Sequence, residues 1–254
     1  MKKDYNTNNP LKIPIYSLEK KIKKRKGNGE YLLLHHFLKP QQIIFDVGAN
    51  KGSWSETVLS IEPNVFIFAF EPLPNIFHSL THSLHFDNIF SYNFAFSDKR
   101  GKNLFFCYDE KGEKSKLSSF YPKREIFTPP KLLEIKVETL DHFCCIHRIY
   151  SIDLLKIDTE GAELKVLQGA KKLLKNQKIK AIEFEYGEAY LSSHTNLKDV
   201  FKFLTDNNFI VFRIDNKGLV YINNWSDKLE NLSYGNYFAI LSKEMPQYGK
   251  IKNL

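Results

Sequence analysis

The sequence predicts an α/β fold: a mostly parallel sheet with helices on both faces and an antiparallel last strand. Three observations predict it. Short apolar runs recur along the chain, and most are separated by stretches of helical period. The last two runs have no helical stretch between them, which turns the end of the sheet antiparallel. The first run ends in a turn bearing two glycines, at the carboxyl end of a strand, where open sheets of this kind bind ligands.

Each element has its own warrant. Residues 43–47 (IIFDV) read as a buried strand and 53–60 as a helix, with Ser53 as cap and Glu56 three residues on. The run 65–72 is a second strand ending in an acid, and Pro74 suits the first turn of the helix that follows. Residues 88–94 form a third strand. The stretch 97–134 is rich in Lys, Ser, Gly and Pro, and reads as a loop-rich insertion with one short strand near 103–108. The series resumes with strand 152–158 and helix 162–174, where Leu164, Leu167, Ala170, Leu173 and Leu174 share a face. Strand 181–186, helix 196–208, strand 210–214 and a final strand 237–242 complete it.

With 254 residues, 43% of them hydrophobic, the chain is large enough for one domain with a substantial core. That domain is expected over 41–245, after a basic N-terminal extension with helical segments (1–40) and before a short tail (246–254). No apolar run approaches the roughly 20 residues that cross a bilayer, and the N-terminus lacks the apolar segment of a signal peptide. A cytoplasmic location is therefore expected. Cys107, Cys144 and Cys145 have neither a disulfide framework nor zinc-site spacing, so free thiols are expected. The net charge of +8 gathers partly in Lys20, Lys21, Lys23, Lys24, Arg25 and Lys26, read as a solvated arm. No nucleic-acid recognition module accompanies that run, and nucleic acid is not the expected partner.

The turn after the first strand reads as a nucleoside site. Gly48 and Gly52 leave room for a tight turn and close backbone approach, with Ala49 and Asn50 between them and Asp46 ending the strand. The spacing matches neither G-x-G-x-x-G nor a P-loop, so phosphate is not the obvious cargo. Glu71 closes the second strand, where a carboxylate accepts the two hydroxyls of a ribose, with Pro72 and Leu73 following. Asn93 and Ala95 lie where an adenine edge would fall, between Leu73 and Phe94 as apolar walls.

The segments FDVGANKG, FEP, NFAFSDKRG and VETLDHF, and above all IDLLKIDTEGAELKVLQGA, resemble the FkbM-type methyltransferases. That family is a branch of the S-adenosylmethionine-dependent class I, Rossmann-like fold, and the resemblance spans roughly residues 40–242. It implies a seven-stranded sheet with an antiparallel last strand. It also implies that the Gly48 turn holds the methionyl part of S-adenosylmethionine, Glu71 the ribose, and Asn93 and Ala95 the adenine. Similar proteins are O-methyltransferases acting on hydroxyls of sugars, glycan or glycolipid precursors and polyketides.

Methyl transfer needs the acceptor oxygen about 3 Å from the methyl and in line with it, and needs its proton removed. Asp158, at the tip of the fourth strand and bordering the cofactor, is the first candidate base. Glu160 and Glu163 follow in DTEGAE, Glu163 also suiting a structural role in the first helical turn. Glu183 and Glu185 share a face of the fifth strand, where a carboxylate is costly unless partnered, with Lys156 or Lys180 as the structural partner. Asp158, Glu160 and Glu185 are the catalytic candidates. Their oxygens also suit a divalent cation, although no metal is assigned. His147 and His194 are alternative bases, while His78, His82 and His85 read as a solvated helix face.

The insertion 97–134 is a candidate lid over the acceptor, with Lys116, Lys123 and Arg124 suited to an anionic carrier. Two other functions compete. A nucleic-acid methyltransferase suits the basic pI of about 9.1, but no D/N-P-P-Y stretch follows the fourth strand. A non-catalytic nucleotide-binding domain would keep the first turn without the acids. The acceptor and the oligomeric state are not legible.

Overall fold

The computed structural model of the protein describes residues 29–109, 118–122, 129–216 and 218–248. The basic run at 20–26, the lid cations Lys116, Lys123 and Arg124, and the tail from 249 lie outside the described residues.

The described chain opens with α1 (Glu30–Phe37), followed by β1 (Ile43–Val47), α2 (Ser53–Ile61) and β2 (Phe66–Phe70). Next come α3 (Pro74–Ser83), with Pro74 in its first turn as expected, and β3 (Ile89–Tyr92). Three strands then form a separate small sheet in the order β4-β6-β5: β4 (Ala95–Phe96), β5 (Gly101–Cys107) and β6 (Lys131–Glu138). The fold returns to the main sheet through α4 (Leu140–Ile146), β7 (Ile152–Ile157), α5 (Glu163–Gln168), α6 (Lys171–Lys175) and β8 (Ile179–Tyr186). It ends with α7 (Ala189–Ser193), α8 (Leu197–Asp206), β9 (Phe209–Asp215), β10 (Gly218–Tyr221) and β11 (Gly235–Leu241).

The main sheet has eight strands in the order β10-β9-β11-β8-β7-β1-β2-β3, not the seven expected. The added strand, β10, is four residues long and pairs antiparallel with β9 as a hairpin, too short to stand out as an apolar run. β11 inserts antiparallel between β8 and β9, so the antiparallel end forms as expected, while β3, β2, β1, β7 and β8 run parallel.

The insertion carries the short strand expected near 103–108, as β5, and β5 pairs with β6 along seven positions from Gly101–Val137 to Cys107–Lys131, a partner that was not foreseen. Two further expectations are corrected. The helix 162–174 is two helices. Its break falls at Gly169, where a β-carbon would stand 2.2 Å from the Ser97 carbonyl oxygen, so the chain there is pressed against the strand that opens the small sheet. Ser53 does not cap α2. Gly52 does, at φ 82, without a side-chain bond.

Both faces of the sheet are covered. On one, Leu33, Leu34 and Phe37 of α1 pack with Trp54, Val58 and Leu59 of α2 over Ile44, Leu154 and Ala181. On the other, Phe143, Val166, Leu167, Val200 and Leu204 pack over Phe45, Leu155, Ile157 and Ile182. Burial of each large apolar side chain stabilises by about 1.5–3 kcal/mol, which anchors the strands whose tips carry the site. Two polar caps fasten the second layer. Thr139 accepts from the His142 N–H at the head of α4, and the Asp141 carboxylate accepts from the N–H groups of Lys172 and Leu173 at the head of α6. The buried Glu138 ties the small sheet down, 2.9 Å from Arg100 Nε and 3.1 Å from His142 Nδ1. Among the described residues no helix is long and apolar enough to cross a membrane. Cys107, Cys144 and Cys145 are free, as expected.

Candidate active site

The site lies where β1, β2, β7 and β8 end. The backbone fold of the first turn explains its glycines. Gly48 has φ 84, and a β-carbon there would stand 1.9 Å from the Asp158 carbonyl oxygen. A side chain at position 48 is thus excluded by the tip of β7. Gly48 and Ala49 donate to the Phe70 carbonyl at 3.0 and 2.9 Å, and Asp158 N–H donates to the Val47 carbonyl at 2.9 Å. The turn after β1 and the tip of β7 are one welded unit. Gly52 is buried against Leu80 of α3 and Leu84 just after it, with its missing β-carbon 2.7 Å from Leu84 Cδ1, so a side chain there is excluded by packing.

Asn50 (φ 49) points its N–H at Glu71 Oε2, 3.0 Å away, and Leu73 N–H donates to Glu71 Oε1 at 2.8 Å. Glu71 thereby fastens the first turn to the second. Burial pushes its carboxyl up to about 7, against the pull of those two backbone bonds. Asn93 Nδ2 donates to the carbonyls of Glu71 and Pro72 at 2.8 and 3.0 Å, holding the Glu71–Pro72–Leu73 corner rather than extending toward a ligand. Asp46 is buried and accepts from Ser55 Oγ at 2.6 Å, fixing α2 on β1. Ala95 and Leu73 are buried together in the cluster under the small sheet.

At the other end of the site, Asp158, Glu160 and Glu185 bring carboxylate oxygens within 4.8 Å of one another. The loop that does this is unusual. Glu160 takes φ 56 and Gly161 φ 107, and the Glu163 carboxylate folds back to accept from Thr159 N–H and Oγ1, both at 2.9 Å, and from Gly161 N–H. Glu163 is therefore the internal brace of this turn, the structural role foreseen for it. Burial pushes its carboxyl up to about 7. Glu185 is pushed up to about 9, first by burial and then by the Asp158 charge, so it holds its proton at neutral pH. Tyr234 Oη donates to Glu185 Oε2 at 3.2 Å while its ring stays 62% exposed beside the trio.

Glu183 is fully buried. Its Oε1 lies 3.5 Å from Lys156 Nζ, which in turn lies 3.7 Å from Asp158 Oδ2. Lys180 pairs instead with Asp153 at 2.6 Å. His78 and His82 lie together on the exposed side of α3, their rings tilted 59° with centroids 4.1 Å apart. His147 packs on Phe143 with centroids 4.2 Å apart, and His194 follows α7 at φ 52. None of these histidines belongs to the acidic trio. Sequence reasoning missed Tyr234, and treated Lys156 only as an ion partner. A lone Lys inside the apolar run IDLLKI was the signal for the second.

One consequence is measurable. Glu185 has a folded pKa above its unfolded value, so its burial costs nothing below about pH 4.5 and costs progressively more as pH rises toward 9. Glu185→Gln is expected to melt above wild type at pH 8 and together with it near pH 4.5. Equal melting at pH 8 would contradict this.

A mostly parallel sheet with a glycine turn and a carboxylate at its first two strand tips, and acids at its fourth and fifth, defines the class: an S-adenosylmethionine-dependent methyltransferase. Residues 46–211 match the methyltransferase FkbM domain, and the chain belongs to that family. It is 28% identical over 166 residues to the 2-O-methyltransferase NoeI of Sinorhizobium fredii, covering 60% of this chain and 67% of that one. Among solved structures it is similar to the precorrin-6y C5,15-methyltransferase of Geobacter metallireducens (TM-score 0.45, 13% identity, 84% and 88% of the two chains). It is also similar to Aeropyrum pernix fibrillarin with natively bound S-adenosyl-L-methionine (TM-score 0.44, 13% identity, 86% and 74%).

Proposed function

We propose that the protein transfers a methyl group from S-adenosylmethionine to a hydroxyl of a sugar, glycan precursor or related small molecule. The observation that carries the reading is the convergence of Asp158, Glu160 and Glu185 beside the Gly48 turn. The 2-O-methyltransferase name of its relative supports oxygen as the acceptor atom.

Bound S-adenosylmethionine supplies the electrophilic methyl. Glu71 fits its ribose, because the two backbone bonds that Glu71 accepts leave lone pairs on both oxygens for hydroxyl donors. The backbone of Gly48, Ala49 and Asn50, with Asp46 and Gly52 fixing the turn, borders the methionyl end. Pro72, Leu73, Asn93 and Ala95 shape the adenine side. Asp158, 3.7 Å from Lys156 Nζ, takes the acceptor proton, and the protonated Glu185 donates to an acceptor oxygen. Glu160, at a left-handed backbone position beside Asp158 and Glu185, orients a neighbouring hydroxyl.

The test is a labelled-methyl assay on cell glycan and nucleotide-sugar fractions, with RNA and DNA in parallel. Label in the glycan or nucleotide-sugar fraction is expected. Label only in nucleic acid, lost steeply with salt, would overturn the acceptor class. Calorimetry with S-adenosylhomocysteine tests the cofactor half. Since an ionised Glu71 is the better acceptor, affinity is expected to rise through about pH 7, the value to which burial lifts it. Glu71→Gln is expected to bind roughly 10-fold more weakly and to lose that rise. Wild-type affinity in the variant would remove Glu71 from the site.

A further inference from the structure

Three carboxylates gathered within 4.8 Å at strand tips ordinarily call for a divalent cation. In this chain a charge of the right sign already stands beneath them. Lys156 lies in mid-strand, paired in register with Asp46 of β1 on one side and Glu183 of β8 on the other. Its side chain is 3% exposed, and its Nζ lies 3.5 Å from Glu183 and 3.7 Å from Asp158. A residue two positions on along a strand shares its face, so Lys156 and Asp158 lean the same way and Glu185 sits beside them, two beyond Glu183. Glu30 of α1, held at 2.7 Å by Asn236, closes this polar layer from the side of the first helix.

We propose that Lys156 is a positioning residue and the resident cation of the acidic trio, anchoring Asp158 for the acceptor proton in the place of a divalent metal. An isolated ammonium would not stay charged at this depth. Burial pulls its pKa down, and the charges of Asp158, Glu183 and Glu30 more than restore it, leaving it above the usual lysine value. The groups facing it are thus Glu30 from α1, Asp158 from the tip of its own strand, and Glu183 and Glu185 from β8, with Tyr234 bonded to the last. Glu183 has no room for substrate, and its place in this arrangement is to hold the ammonium. The ammonium in turn restrains the half-exposed Asp158, which has no other anchor of comparable charge on its own strand.

This inference rests on reading Asp158 as the acceptor-side base, and its test separates the two. Mn²⁺ alone is the probe, titrated near neutral pH and followed by electron paramagnetic resonance. Wild type is expected to bind Mn²⁺ no more tightly than about 1 mM, the weak end of carboxylate sites. Lys156→Met is expected to bind it at least roughly tenfold more tightly, because the trio loses its internal charge. In the methyl-transfer assay Lys156→Met is expected to lose about 100-fold in turnover, the effect of misplacing a reacting group by about 1 Å, with S-adenosylhomocysteine affinity unchanged. Lys156→Arg, which keeps the charge, is expected to recover part of it. Micromolar Mn²⁺ affinity in wild type, or wild-type turnover in Lys156→Met, would overturn the proposal. If Lys156→Met does not fold, the wild-type titration and Lys156→Arg still decide. Failure of wild type to bind S-adenosylhomocysteine would instead strike the functional reading and leave the Mn²⁺ result standing.

Discussion

Asp158→Asn is expected to lower turnover by about 10²–10⁴-fold while leaving S-adenosylhomocysteine affinity within a few-fold of wild type. The substitution keeps the shape of the side chain and removes its capacity to take a proton, together with the charge that faces Lys156. The backbone of residue 158 is fixed independently of the carboxylate, by its N–H bond to the Val47 carbonyl and by the contact of Gly48 on its carbonyl. The tip of β7 therefore keeps its position in the variant, and the nucleoside turn resting on it is undisturbed. With 37% of its side chain exposed, Asp158 is open to an acceptor, whereas Glu183 at 0% is not. Glu183→Gln is accordingly a structural perturbation, expected to lower melting temperature before it affects the chemistry. The check is a pair of measurements on one preparation: label transfer to the glycan fraction and calorimetric affinity. Unchanged turnover in Asp158→Asn would take it out of the mechanism, and joint loss of affinity and turnover would reassign it to cofactor binding.

What could be read in advance followed from periodicity. Strands β1, β2, β7, β8 and β11 are largely apolar runs, and they stand out because most residues of such a run face one core or the other. The hairpin strand β10 has two exposed residues among four, so burial leaves little trace in it. The small sheet escaped for a related reason. The first four residues of β5 are exposed, and its pairing with β6 joins segments far apart in sequence. The convergence of Asp158, Glu160 and Glu185 was legible in part, because a carboxylate within or just after an apolar strand, as at Asp158 and Glu185, is costly without a partner. The purpose of Gly48 was legible only as a need for freedom. That this freedom serves contact with the neighbouring strand tip is a property of pairing between residues 110 positions apart, which local sequence does not encode. Asn93 shows the same limit, since an exposed amide after a strand gives no hint that its hydrogens close the corner at Glu71 and Pro72.

Gly48→Ala is expected to fail in a different way from Asp158→Asn, losing stability, cofactor affinity and turnover together. At φ 84 a non-glycine residue costs about 1–2 kcal/mol before any contact is counted. The added β-carbon would then meet the Asp158 carbonyl oxygen at 1.9 Å, where the obstacle is backbone and cannot rotate aside. Either β1 or β7 has to move, and with it the bonds from Gly48 and Ala49 to Phe70 and from Asp158 to Val47. A total of about 3–5 kcal/mol is expected, the range of changes that break a backbone position and its packing together. For a chain of this length that is a fall of roughly 10 °C in melting temperature. Gly101→Ala provides the control. Gly101 also has a positive φ, 139, yet nothing lies within 4 Å of an added β-carbon, so it carries the conformational cost without the collision. It is expected to lower the melting temperature by a few degrees, with cofactor affinity at the wild-type value. Should Gly48→Ala melt no lower than Gly101→Ala and bind S-adenosylhomocysteine as wild type does, the two strand tips are not welded as described. The route by which the acceptor-side acid is held against the nucleoside turn would then have to be sought in the side chains of Glu71 and Lys156 instead.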